Sequence, residues 1–218
     1  MRENHEDPHY GYKITILGGG GVGKTCLFNR YCFNSFSFNT LMTIGINFHS
    51  TKLQISAKDK DKDKDKDKDK DKNKNKNKNK NKKGEFTVIN SIFDFGGQDR
   101  FKNLVPKFLD GTSGALLVFD ISSFASFQTL EYWHEKLRKN TKEKVPTLLV
   151  SSKYDLVDKV PKAQLVNQQL IERFVEEKNL DGYICTSALE NKNVLKVFKE
   201  LTKLMLKQDH AMSHIKIL

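Results

Sequence analysis

The sequence of 218 residues contains no apolar run that approaches the roughly 18 residues needed to span a bilayer. Its first seven residues carry three acidic side chains and lead into no apolar segment, so we expect no secretory signal. Position 2 is arginine, which excludes N-myristoylation. Only three cysteines occur, at positions 26, 32 and 185. Such a sparse, odd-numbered set favours reduced thiols in a cytoplasmic protein over a disulfide framework.

The positive charge is concentrated in one segment. The chain carries a net charge of +11, but residues 58–83 consist only of Lys, Asp and Asn and hold 14 of the 38 basic and 7 of the 27 acidic side chains. The other 192 residues therefore carry an excess of only four positive charges and nearly all of the apolar side chains. That composition is enough for one core of ordinary size, and it excludes both a globally basic and a disordered protein.

The low-complexity segment 58–83 contains no apolar side chain whose burial could offset the entropy of ordering, so we predict a disordered loop. Its second part, residues 73–83, holds six lysines and no acid. This part could attract anionic lipid or RNA, or the whole segment could be a tolerated repeat expansion at a surface turn. We favour the expansion and expect no nucleic-acid partner, because the segment has no aromatic side chain to stack on bases.

Outside this segment, apolar runs alternate with helical patterns, which indicates an α/β fold with a mostly parallel sheet and helices on both faces. Predicted strands lie at residues 12–17, 44–55, 86–93, 114–120, 147–150 and 183–185, and predicted helices at 24–34, 124–140, 162–178 and 194–205. The apolar positions of the second strand change phase after Phe48, which we interpret as an irregularity. If the second and third strands pair as a hairpin, the low-complexity segment lies at its tip. Ligands of such sheets bind at the carboxyl ends of the strands.

Residues 18–25 match the pattern G-x-x-x-x-G-K-[ST] between a predicted strand and a predicted helix. The glycines allow successive backbone N–H groups to point at phosphate oxygens, and the helix start adds its positive dipole end. The Lys24 ammonium can neutralise the outer phosphates, and the Thr25 hydroxyl is a hard oxygen ligand for Mg²⁺. The predicted contacts to a nucleoside triphosphate at this end are Gly20, Gly21, Val22, Gly23, Lys24, Thr25 and Cys26.

Three later segments, each at a strand end, indicate which base is bound. Asp94 can hold Mg²⁺ through water, and Gly97 can offer its N–H to the γ-phosphate. The Asp155 carboxylate can accept two hydrogen bonds from guanine N1 and N2, a pair of donors that adenine lacks, while the Lys153 stem can lie over the base. Backbone N–H groups of residues 186–188 can meet guanine O6. The predicted contacts to the base are Ser152, Lys153, Asp155, Ser187, Ala188 and Leu189.

These four motifs, in this order, resemble the Ras superfamily of small GTPases, nearest its Rab-like branch, over residues 10–207 apart from the insertion 58–83. Residues 43–48 and 92–101 look like the effector region and the second switch of that branch. The resemblance implies a P-loop NTPase small G domain with a six-stranded sheet. It leaves residues 1–9 and 208–218 as tails, and we expect the second tail to be poorly ordered.

The resemblance also implies roles for individual residues. Thr43, 19 residues after Lys24, stands where the family has the threonine that closes on Mg²⁺ and the γ-phosphate. Phe36 stands where the family packs an aromatic edge against guanine, and Gln98 where it orients the attacking water. The implied catalytic residues are Gln98 and Lys24, and the implied metal ligands are Thr25, Thr43 and Asp94. No arginine can be assigned in cis, so we expect slow intrinsic hydrolysis that a partner accelerates by inserting an arginine.

The family's function would make the chain a GTP-binding and GTP-hydrolysing switch in vesicle trafficking or signalling. Loss of the γ-phosphate would release residues 35–48 and 96–111. Its implied partners are a GTPase-activating protein, a guanine-nucleotide exchange factor and effectors. Two alternatives stay open: a nucleotide-binding scaffold that does not cycle, and a basic-loop module that binds nucleic acid or lipid.

Three features depart from the family pattern. Ser152 replaces an asparagine that ties its loop to both the phosphate loop and the base; serine is too short to span both, so we expect faster nucleotide release. Leu189 stands where the family usually has lysine. The last cysteine is Cys185, which leaves no terminal cysteine to prenylate. We therefore expect a cytoplasmic protein without an evident lipid anchor, and peripheral membrane contact stays open.

Overall fold

The computed structural model describes residues 9–39, 42–59, 84–97, 105–141, 143–209 and 215–217. Seven strands in these ranges form one sheet in the order β6-β5-β4-β1-β3-β2-β7. The strands are β1 His9–Leu17, β2 Ile46–Asp59, β3 Gly84–Phe95, β4 Gly114–Asp120, β5 Thr147–Ser152, β6 Tyr183–Cys185 and β7 Ile215–Ile217. The helices are α1 Lys24–Phe33, α2 Val105–Leu109, α3 Phe124–Gln128, α4 Leu130–Asn140, α5 Gln168–Glu177 and α6 Val194–Gln208. None of the described helices is both long and apolar enough to cross a membrane.

The pairing confirms a mostly parallel sheet. β1 lies parallel to β3 and β4, β4 to β5, and β5 to β6, whereas β2 runs antiparallel to its neighbours β3 and β7. The six strands β1–β6 form the predicted six-stranded sheet of a small G domain, to which β7 adds a short seventh strand.

Side chains of the central strands alternate between two apolar layers, one on each face of the sheet. Ile14 and Ile16 of β1 pack into a cluster that includes residues of α1 and α6. Leu17 packs on the other face, into a cluster with residues of α2, α3, α4 and α5. All residues of β4 and β5 are buried, as expected of continuous apolar runs at the centre of a parallel sheet. This arrangement confirms helices on both faces.

The predicted irregularity in β2 is wrong. The register with β3 is unbroken from the pair Ile46 and Phe95 to the pair Ala57 and Gly84. The apolar positions change phase because β2 buries different faces along its length. Its first residue, Ile46, packs on the α2–α5 layer, whereas Leu53 and Ile55 pack with Leu206 of α6 on the opposite face.

The hairpin formed by β2 and β3 is confirmed, and most of the low-complexity segment falls between these two strands in the sequence. Its first two residues, Lys58 and Asp59, belong to β2. The prediction of a disordered loop otherwise falls on residues 60–83, outside the described residues.

Part of the C-terminal tail is ordered, contrary to expectation. Residues Ile215–Ile217 pair antiparallel with residues 57–59 of β2. The end of β2 is an edge strand, whose unpaired backbone groups can accept another strand, and the tail supplies it.

Candidate functional site

The phosphate loop joins the end of β1 to the start of α1 and depends on its glycines. Gly18, Gly21 and Gly23 have φ angles of 151°, 72° and 90°, a region that other residues rarely adopt. A Cβ atom at Gly18 would also overlap the carbonyl group of Val118, so the loop runs directly over β4. The predicted strand, glycine turn and helix are therefore present.

Lys24, the first residue of α1, has its ammonium inside this loop. The side chain is buried, and its Nζ donates hydrogen bonds to the carbonyl oxygens of Gly18 at 2.9 Å and Gly19 at 2.6 Å. Burial lowers the Lys24 pKa to about 8, although the nearby Asp94 carboxylate favours the charged form. A partly desolvated cation enclosed by a glycine loop suits an anion such as phosphate.

The three predicted metal ligands meet beside the phosphate loop. Thr25 Oγ1 lies 2.6 Å from Thr43 Oγ1 and donates to Asp94 Oδ2 at 2.7 Å. Asp94 Oδ1 is buried and has no hydrogen-bond partner within the described part of the chain, and burial raises the Asp94 pKa. Two hydroxyls and a carboxylate with a spare oxygen are the donors that Mg²⁺ prefers, so these residues fit the ion.

Asn47, which was not predicted from the sequence, also belongs to this site: its Nδ2 donates to Asp94 Oδ2 at 3.2 Å. In the hairpin register, Asn47 lies directly opposite Asp94. Knowledge of that register would have identified it, because residues opposite each other in neighbouring strands are within side-chain reach.

The end of β3 places Gly97 against the phosphate loop. A Cβ atom at Gly97 would overlap the Gly19 carbonyl group and lie 2.6 Å from Gly20 N. Gly97 is thus at the phosphate end, as predicted. Gln98, the predicted catalytic residue, lies outside the described residues, and its role stays a prediction.

At the other end of the site, the loops after β5 and β6 are joined around Asp155. Ser187 Oγ is fully buried and donates to Asp155 Oδ1 at 2.6 Å. The backbone N–H of Tyr154 donates to the Thr186 carbonyl at 3.0 Å. These contacts leave the second carboxylate oxygen of Asp155 to accept from a ligand.

Lys153 has a left-handed backbone conformation, with φ 56°, and its Nζ forms an ion pair with Asp120 Oδ2 at 2.7 Å. The ion pair fixes the Lys153 ammonium at Asp120, and Lys153 lines the cavity. Asp120, which was not predicted from the sequence, ends β4 in register with Ser152 at the end of β5.

Ser152 makes one of the two contacts expected of the asparagine that it replaces, the contact with the phosphate loop. Ser152 Oγ bonds the Val22 carbonyl oxygen and lies 3.0 Å from the Phe119 carbonyl oxygen. The short side chain suffices because β5 ends so close to the loop that a Cβ atom at Gly23 would lie 3.5 Å from Ser152 Oγ. The hydroxyl has one proton, however, which leaves it no second donor for the base.

A cavity of about 390 Å³ runs between the two ends of the site. The predicted site residues on its wall are Gly20, Gly21, Gly23, Lys24, Thr25, Cys26, Phe36, Thr43, Gly97, Ser152, Lys153, Asp155, Ala188 and Leu189. Val22, Asp94 and Ser187 are predicted site residues that are not on the wall, and all three are buried. The cavity matches a nucleotide in having a phosphate end and a base end, and the roles of the individual residues in binding stay predictions.

The fold and site define a P-loop nucleotide-binding domain of the small G type, and comparison with known proteins agrees. The Ras family model matches residues 63–207, and the model described as Ras of Complex, Roc, domain of DAPkinase matches residues 13–69. The chain is 32% identical over 197 residues to Ras-related protein Rab-21 of Homo sapiens, covering 90% of this chain and 73% of the relative. It is 29% identical over 198 residues to Ras-related protein Rab-11A of Dictyostelium discoideum, covering 91% and 77%. The chain belongs to the Ras family and is a Rab-like small GTPase.

Proposed function

We propose that this small GTPase is a switch that binds GTP with Mg²⁺ and holds two flanking segments through the γ-phosphate. The supporting observation is that both segments already meet the phosphate loop and its helix. Thr43 of the first segment lies 2.6 Å from Thr25, and Gly97 of the second packs on the Gly19 carbonyl group. A γ-phosphate at this junction would be contacted from both sides, so its loss would release both segments.

Each step of the hydrolysis can be assigned to residues of this chain. Lys24 would bind and orient the outer phosphates, and Thr25, Thr43 and Asp94 would hold Mg²⁺, which would supply positive charge to neutralise the phosphate oxygens. Gln98 orients the attacking water. The assignments of Lys24, Thr25, Thr43 and Asp94 rest on the geometry of the phosphate end. The assignment of Gln98 rests on its match to the position of the family's water-orienting residue.

We infer a slow intrinsic rate. The three arginines in the described residues are Arg30, Arg138 and Arg173, and none of them lines the cavity. The chain therefore lacks, in its described part, a second cation at the phosphates besides Lys24. A GTPase-activating protein that inserts an arginine would supply that charge, and an exchange factor would open the site for release.

The experiment is single-turnover GTP hydrolysis by the purified protein loaded with GTP and Mg²⁺. We expect slow hydrolysis that Gln98→Leu nearly abolishes. The matched control is Gln164→Leu, which changes an exposed glutamine outside the site and should leave the rate unchanged. A fast basal rate that Gln98→Leu does not alter would contradict the mechanism. Tight GTP binding with no hydrolysis under any condition would favour the non-cycling scaffold.

We further propose that effectors bind the ordered first segment and that the protein acts in membrane traffic or signalling. Large apolar side chains are exposed beside Thr43: Phe38 is 81% and Ile44 is 77% solvent-exposed. Exposed apolar surface of this kind is typical of a protein-binding site. Ile44→Asp should weaken capture of proteins by the GTP-loaded form and leave GTP binding unchanged. Equal capture by GDP- and GTP-loaded protein would contradict a switch.

We propose that the protein works in the cytoplasm and that any contact with membranes is peripheral. The thiols of Cys32 and Cys185 form no disulfide in the described part of the chain, which suits a reducing compartment. Fractionation of cells that express the tagged protein tests this proposal. If the tagged protein stays in the membrane fraction after a high-salt wash, the proposal is contradicted.

A further inference from the structure

The side chain of Arg30 joins two parts of the base end that are far apart in the chain, the end of α1 and the loop after β6. Arg30 lies on α1, six residues after Lys24. Its Nε donates to the Ala188 carbonyl oxygen at 2.7 Å, and its second terminal nitrogen reaches the Leu189 carbonyl oxygen at 3.4 Å. The remaining terminal nitrogen donates to the Asn34 carbonyl oxygen at 3.0 Å. The guanidinium therefore fastens the loop after β6 to the end of α1.

The same guanidinium also lies at the start of the first switch segment. Its central carbon is 6.0 Å from the centre of the Phe36 ring, within the range of a cation–π contact. Phe36, Ala188 and Leu189 line the cavity, and Arg30 is not among the described residues that do so. Arg30 therefore supports these three residues from behind the cavity wall.

Holding the Ala188 carbonyl fixes where the next N–H points. In a trans peptide the C=O and the following N–H point in opposite directions. Because the Ala188 carbonyl turns toward Arg30, behind the wall, the Leu189 N–H turns the other way, toward the cavity. The sequence predicts contacts to guanine O6 from backbone N–H groups of residues 186–188 of this loop. The N–H groups of Thr186 and Ser187 instead donate to the carbonyl oxygens of Ser151 and Lys192, so the contact to O6 would come from the next N–H groups along the loop.

We propose that Arg30 is a positioning residue for guanine recognition: by holding the Ala188 and Leu189 carbonyls it aims the Leu189 N–H at the base, and it couples that loop to Phe36. The inference rests on the proposed GTP binding. The Arg30 contacts also explain how the loop after β6 stays in place with leucine at position 189. Lysine could not replace Arg30, because an ammonium lacks the planar fork that reaches separate carbonyls at once.

The test compares the dissociation rates of three nucleotides from the wild type, Arg30→Gln and Arg30→Lys. GDP and inosine diphosphate carry O6, whereas the diphosphate of 2-aminopurine riboside lacks it. Loss of a hydrogen bond from a charged donor predicts release of GDP and inosine diphosphate about tenfold or more faster in both variants. The 2-aminopurine nucleotide should be affected clearly less, which a merely structural role would not produce. The matched control, Arg173→Gln, changes an exposed arginine paired with Glu177 on α5 and should leave all three rates unchanged.

Each other outcome counts against the inference. GDP release within twofold of wild type in Arg30→Lys overturns it, and so does equal acceleration of all three nucleotides. If Arg30→Gln does not fold, Arg30→Lys, which keeps the charge and the helical propensity, decides the question. If the wild-type protein binds no GDP, the proposed function and the inference are both overturned. If the wild type binds GDP and both variants release it at the wild-type rate, only the inference is overturned.

Discussion

Exchanging the Ser152 side chain in two opposite ways tests how firmly the loop after β5 holds the nucleotide. Ser152→Asn introduces an amide that can donate and accept at the same time, whereas Ser152→Ala removes the hydroxyl, the only polar group of the side chain. The present hydroxyl bonds the Val22 carbonyl of the phosphate loop and has no second proton for another partner. The two replacements should therefore change nucleotide release in opposite directions.

The structure limits the size of both effects. A lost buried hydrogen bond costs about 1–3 kcal/mol, which corresponds to roughly five- to hundredfold in affinity. Because Ser152 already makes the bond to Val22, asparagine adds only the base-side contact. We therefore expect the lower part of that range for Ser152→Asn, with release slowed roughly five- to tenfold. Ser152→Ala leaves the buried Val22 carbonyl without this donor, so release should be faster by at least a similar factor.

The assay follows release of a fluorescent GDP analogue after addition of excess unlabelled GDP, at fixed Mg²⁺ concentration. Ser50→Ala changes an exposed serine on β2, outside the cavity wall; it controls for loss of a hydroxyl and should release GDP at the wild-type rate. Equal release rates in the wild type and Ser152→Asn would refute the view that the loop lacks a base-side contact. An unchanged rate in Ser152→Ala would refute a role for the Val22 contact in holding the phosphate loop.

Three further perturbations test other parts of the structure. Thr25→Ala removes the hydroxyl from the proposed Mg²⁺ site, so chelation with EDTA should accelerate GDP release much less than in the wild type; an undiminished acceleration would contradict the site. Burial raises the Cys32 pKa to about 12, so little reactive thiolate forms at pH 8. Mass spectrometry should therefore show that iodoacetamide labels Cys32 at least about a hundredfold more slowly in the folded than in the unfolded protein. Equal labelling rates would show an accessible thiolate. Thr202→Val removes the buried acceptor of the Asn90 amide, 2.8 Å away, and should lower the free energy of unfolding in urea by about 1–3 kcal/mol; no loss would mean that the amide finds another partner.

The features of this protein that depend on local sequence were predictable. The glycine pattern of the phosphate loop demands particular backbone angles, and Gly21 and Gly23 adopt them. The continuous apolar runs of β4 and β5 correspond to strands buried on both faces. Because parallel strands end at one edge of the sheet, residues such as Asp94 and Asp155 could be assigned to one site before their distances were known.

Features that depend on contacts between distant segments were not predictable. The packing of Leu206 on β2 decides which face of that strand is buried, and neither periodicity nor composition encodes this choice. The pairing of β7 with the end of β2 depends on an unfilled strand edge and not on a strong apolar pattern in the tail. The contacts of Asn47 and Arg30 join side chains to partners on other elements, and no spacing rule within one segment identifies such pairs.

The helix α1 connects the two ends of the nucleotide site. It begins with Lys24 in the phosphate loop and carries Arg30 six residues later, which at about 1.5 Å per residue is about 9 Å along its axis. Two of the three departures from the family pattern, Ser152 and Leu189, fall on loops at the base end. The Arg30 contacts fix one of these loops to α1, and the Ser152 hydroxyl fixes the other to the phosphate loop at Val22. At the phosphate end Ser152 keeps its contact with Val22, and Lys24 and Thr25 make their own contacts with the phosphate loop and Asp94. Nucleotide release, and not the chemistry at the γ-phosphate, is therefore the step that these two substitutions should alter.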